Sequence, residues 1–66
     1  MFNSKYFVIF INEKWEPIRT QKLKTVPKIN EFVYFDEKYY RVLNVVHKLT
    51  KKHDIHVVVK DFSVKE

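Results

Sequence analysis

Residues 39–49, YYRVLNVVHKL, fit two periodicities at once. Tyr39, Leu43, Val46 and Thr50 fall at helical spacing, whereas Leu43, Val45, His47 and Leu49 fall at strand spacing. Composition separates the two. The tyrosines and valines are stiff or bulky at χ1 and favour a pleated backbone, and only Arg41, Lys48 and the two leucines are strong helix formers. Strand-like runs joined by short turns also lie on both sides, so 38–49 reads as one long strand. Extended over that span it would run about 40 Å, too long for a straight strand in a small domain. Its alternation also slips, because Tyr40 and Val42 suit one face and Val45, His47 and Leu49 the other. A bulge near Leu43–Asn44 answers both problems by adding a residue, bending the strand and re-aiming its side chains. A strand bent in this way can serve two sheets.

Working outward, Glu31–Phe35 form a short strand with Phe32 and Tyr34 on one side, Val33 and Phe35 on the other. Before it, Pro27 fixes its own φ and pushes Val26 toward extended geometry. Asn30 is the residue suited to left-handed φ in the turn that follows. Asp36, Glu37 and Lys38 form the turn into the long strand. Without glycine a two-residue primed turn is disfavoured, which predicts a longer loop built on a type I turn. On the far side, residues 49–54 (LTKKHD) read as a basic turn and 55–62 (IHVVVKDF) as the last strand, with Ile55, Val57 and Val59 facing one way. The tail SVKE is expected to fray. Near the start, KYFVIFI (5–11) is apolar on both faces, as a central strand must be. WEPIRTQKLK (15–24) carries Pro17, which cannot donate to a ladder, and so predicts an edge strand or an irregular arm.

The bulk composition sets limits. Sixty-six residues form one domain at most, here 1–66, near the lower edge of what folds without staples. Cysteine is absent, which excludes disulfides and thiolate zinc sites. The core must come from the 45% hydrophobic content, of which large aromatics are the most efficient part. Glycine is absent too, which removes the dinucleotide fingerprint and the P-loop. The segment YFVIFI (6–11) is too short for a membrane span or a signal-peptide core. A cytoplasmic protein is expected, with no cofactor.

Five strands, short turns and one bent strand describe an all-β fold, a small, strongly curved, partly open barrel. VPKINEFVYFDEKYYRVLNVVH (26–47) followed by IHVVV (55–59) resembles small phage and Firmicute proteins with SH3-like barrels. In those, a proline, a turn residue, an acid and alternating apolar residues precede Y-x-V-x-x-V-x-H and a final I-x-V-x-V strand. The matching positions here are Pro27, Asn30, Glu31, Val33, Tyr40, Val42, Val45, His47, Ile55, Val57 and Val59, with Asn30 standing where glycine is usual. The resemblance covers roughly the C-terminal half. It implies a five-stranded SH3-like architecture and a phage or prophage origin, with expression in the host cytoplasm. It carries no catalytic signature.

Candidate chemistry is sparse. His47, His53 and His56 raise a zinc hypothesis. The register of the last hairpin decides whether His47 lies opposite His56 or opposite Ile55. The second choice also matches Val45 with Val57, buries more, and is favoured. The histidines are then read as structural, with no metal. Asp36 and Glu37 are adjacent in a turn and point apart, and Ser4 and Ser63 lie near the termini, so no acid–base pair or held nucleophile can be placed and an enzyme is not expected.

What remains is binding. Tiny barrels leave an edge strand and a shallow aromatic groove, either of which accepts a partner protein. Trp15, Ile18, Tyr34 and Tyr39 are the candidate contacts, and the chain is expected to be a monomer or weak homodimer. The alternative is a single-stranded or duplex nucleic acid held by Lys22, Lys24, Lys28, Arg41, Lys48, Lys51 and Lys52, given a net charge of +5. A merely solubilising basic surface competes with that alternative.

Overall fold

In the computed structural model the described residues are 5–62. Their regular elements are β1 (Tyr6–Ile11), β2 (Pro17–Leu23), β3 (Phe32–Phe35), β4 (Lys38–Leu49) and β5 (His53–Asp61). The residues expected to fray, 63–66, and both serines near the termini lie outside the described residues.

One five-stranded sheet runs in the order β2-β1-β5-β4-β3. β1 and β5 pair parallel; every other neighbouring pair is antiparallel. The doubly apolar β1 is an interior strand, as its composition demands. β2 is an edge strand, and Pro17 stands at its first position, where a missing N–H costs little.

β4 spans Lys38–Leu49 as a single strand. Its register against β5 shifts between Val42, which faces Val59, and Asn44, which faces Val58; Leu43 is the extra residue of a bulge. Beyond the bulge Val45 lies opposite Val57 and His47 opposite Ile55, the pairing that buries more apolar surface. The phase slip in the sequence is thereby resolved: Tyr40, Val42 and Val45 all turn toward the core. The bent strand does not, however, serve two sheets. β5 follows it through the bulge along one edge, so the sheet bends without dividing.

The sheet curls strongly. In a flat sheet β1 and β3 would be three strand spacings apart, about 14 Å. Yet the rings of Phe10 on β1 and Phe35 on β3 have centroids 5.1 Å apart. The two edge strands also approach across the opening: the Arg19 guanidinium of β2 lies 5.5 Å from the Phe35 ring centroid and 3.3 Å from the Asp36 carboxylate. The result is an all-β, partly open half-barrel, consistent with a small SH3-like barrel. Its inside is filled by Val8, Phe10, Val42, Ile55, Val57 and Val59, with Ile18, Leu23, Val26, Val33, Phe35, Tyr40 and Val45 packed around them. Phe35 stacks on Tyr40 at 4.4 Å, which ties the last residue of β3 to this core.

The turns decide where exposed residues end up. Asn30 has φ 76, the left-handed backbone expected of it. Its N–H donates to the Val42 carbonyl at 2.8 Å, and its side-chain oxygen accepts from Arg41 at 2.8 Å. The β3–β4 connection differs from the longer loop that the sequence suggests. It has two residues, Asp36 and Glu37, both at positive φ (51° and 63°), as in a type I′ hairpin turn. The cross-strand pairing of Phe35 with Lys38 and of Tyr34 with Tyr39 leaves room for nothing longer, and Asp36 is held by Arg19. The β4–β5 turn is also shorter than expected, because His53 and Asp54 already belong to β5 and pair with Leu49 and Lys48.

Candidate functional site

Alternation along β3, β4 and β5 sends one set of side chains to the core and the other to the outside of the curl. On the outside, at the β3 end, lie Phe32 and Tyr34 of β3, Tyr39 and Arg41 of β4, and Lys60 and Phe62 at the end of β5. The register forms two rows. In one, Tyr34 faces Tyr39 across the ladder, and Phe62 donates its N–H to the Tyr39 carbonyl at 2.8 Å. In the other, Arg41 stands between Phe32 and Lys60.

The rings make contact in pairs. Tyr34 and Tyr39 meet edge to face at 4.7 Å, and Phe32 and Phe62 tilt together at 5.0 Å. Edge-to-face and tilted pairs are the favoured aromatic geometries. All four nevertheless remain open to solvent: Phe32, Tyr34 and Tyr39 are more than half exposed (53%, 56% and 57%) and Phe62 is 45% exposed. A contiguous exposed aromatic patch is unusual on a small protein. The platform is firm, because Val42 donates to the Glu31 carbonyl at 2.8 Å and Asn30 to the Val42 carbonyl, extending the β3–β4 ladder by another step. Arg41 is aimed by its bond to Asn30.

Of the residues proposed from the sequence as partner contacts, Tyr34 and Tyr39 are brought together here, and the other two are elsewhere. Ile18 is half-buried on the core side, where with Tyr40 and Val59 it lines a hollow of about 310 Å³ at the mouth of the half-barrel. Trp15 is 60% exposed in the β1–β2 loop, so it does not cap the core. That loop is a turn closed by Trp15 N–H to the Asn12 carbonyl (2.9 Å) and Asn12 N–H to the Glu16 carbonyl (2.9 Å). Trp15 itself carries the left-handed φ of 65° that glycine would normally supply. Sequence reasoning placed Phe32 on the side of Tyr34 but did not count it as a contact. Phe62 carries no local signal, since its place in the patch depends on the pairing of β5 with β4.

The cations proposed from the sequence separate into three places. Arg41 belongs to the aromatic face. Lys22, Lys24, Lys48, Lys51 and Lys52 lie at the far end of the sheet, and Lys28 sits in the β2–β3 loop with its backbone N–H bound to the Glu31 carboxylate at 2.7 Å.

The histidines form an unexpected pair. His47 Nδ1 and His53 Nε2 are 2.9 Å apart, diagonal neighbours on the inner side of the β4–β5 hairpin. One ring donates and the other accepts, so at least one of the two is neutral while the bond stands. His56 points to the opposite side, and among the described residues no three His, Cys, Asp or Glu side chains gather as a metal-ligand group.

No protein-family model, curated protein or solved structure matches this chain.

Proposed function

We propose that this protein is a non-enzymatic binding module that engages a partner protein through the outer aromatic face of β3, β4 and β5. The observation that carries the reading is the four-ring patch of Phe32, Tyr34, Tyr39 and Phe62 around Arg41, exposed yet held on a hydrogen-bonded ladder. Tyr, Phe and Arg are the residue types enriched at the centre of protein interfaces, and rigid side chains lose little entropy on binding. Carboxylates at the nearby turn, Asp36 and Glu37, weigh against a polyanion at this end. The resemblance in the C-terminal half supports a phage or prophage origin, and with it the host cytoplasm as the place of action; a monomer or weak homodimer is proposed alongside.

The test is capture from host lysate at about 500 mM salt, where phosphate-driven association is suppressed, with wild type beside the double variant Tyr34→Ser, Tyr39→Ser. Both tyrosines are exposed, so the variant should lose no more than their ring contact, about 0.5–1.5 kcal/mol, and stay folded, as circular dichroism checks. A protein retained by wild type and lost by the variant supports the reading. Equal retention by both, or retention of nothing, refutes it.

A further inference from the structure

The parallel pairing of β1 with β5 gathers lysines that are scattered in the sequence. β2 ends, β1 begins, β4 ends and β5 begins at the same end of the sheet. Lys22 faces Phe7 across β2–β1, and continuing the β1–β5 register places Phe7 beside Asp54, which faces Lys48. The outer face there thus carries a row in which an aromatic ring sits between two lysines three strands apart. Lys24 follows immediately after β2 at the same end of the sheet, and Lys51 and Lys52 form the turn after β4. Glu13, Glu16, Asp36, Glu37 and Asp61 collect at the opposite end, leaving Asp54 as the acid in the row. Phe7 is 43% exposed on this face.

We infer that this end of the outer face binds single-stranded nucleic acid, with Phe7 stacking on a base and Lys22, Lys24, Lys48, Lys51 and Lys52 contacting phosphates. The occupant follows from chemistry. Segregated positive charge fits a polyanion, and a ring exposed between the charges fits an unpaired base. An open strand surface on the outside of the curl accepts a single strand along it. This surface lies at the other end of the sheet from the aromatic patch, so each can be tested without disturbing the other.

The experiment is fluorescence anisotropy with a labelled oligothymidylate of about 12 nucleotides, a length within reach of a small barrel. Five phosphate contacts predict a log–log salt slope near −3.5, or roughly a 100-fold loss of affinity between 50 and 200 mM salt. Lys48→Gln with Lys51→Gln should flatten the slope by about 1.4. Phe7→Ala should weaken binding about tenfold with the slope unchanged. Phe7→Leu keeps apolar bulk without a ring and decides the point should the alanine variant unfold. Lys14→Gln, at the acidic end, should leave binding as it is. Absence of binding at 50 mM salt overturns the inference. So does tighter binding of the matching duplex, tighter binding of phosphatidylserine vesicles, or an equal effect of Lys14→Gln.

Discussion

Glu37→Gly tests the turn that positions the aromatic face. Glu37 sits at φ 63 and its neighbour Asp36 at φ 51, a primed turn built without glycine. A non-glycine residue in left-handed backbone costs about 1–2 kcal/mol, and Asp bears that better than Glu. Glycine at position 37 removes the cost but loses more chain entropy on folding, about 0.5–1 kcal/mol. The net gain is about 0.5–1 kcal/mol, which for a domain of this size raises Tm by roughly 2–8 °C. Glu37 is exposed, and the Arg19–Asp36 bridge is left in place, so little else should change. Glu37→Val supplies the opposite sign, because a β-branched residue suits positive φ least. Thermal melting by circular dichroism at about 150 mM salt, near physiological screening, reads both variants. If Glu37→Gly lowers Tm while Glu37→Val leaves it unchanged, the turn is not primed. The pairing of Tyr34 with Tyr39, and with it the patch, would then be misplaced.

Two further predictions probe the frame around the site. Ile55 is fully buried between β1 and β4, so Ile55→Val should lower urea-unfolding stability by about 1 kcal/mol and Ile55→Ala by about 2–5 kcal/mol. The larger loss is comparable with the roughly 3–10 kcal/mol expected for a chain of this length, and the alanine variant should be partly unfolded at 37 °C. Asn30→Ala puts at φ 76 a residue that tolerates left-handed backbone less well than Asn and also frees Arg41, and should cost about 1–2 kcal/mol, whereas Asn30→Gly should change stability by less than about 0.5 kcal/mol. Equal losses for the two would mean that the Arg41 bond, and not the backbone, holds that turn.

The sequence by itself determined what depends on neighbours along the chain. β-Branched and aromatic runs specified the strands, and the slip between Val42 and Val45 specified a bulge at Leu43. Burial of Val45 against Val57 chose the hairpin register, and Asn30 marked its own left-handed turn. Side-chain alternation is a local property, so it reports which face a residue takes. It does not report which strand edges meet. Only the tertiary structure paired β1 parallel to β5, and that choice collected the lysines at one end and set Phe7 between Lys22 and Lys48. It also brought Phe62 to Phe32 and His53 to His47. The turns were decided in the same way. Cross-strand packing of Tyr34 on Tyr39 and the reach of Arg19 to Asp36 outweigh the local aversion of Asp and Glu to positive φ. Contacts distant in sequence add up to more than the one or two kcal/mol that each local preference commands.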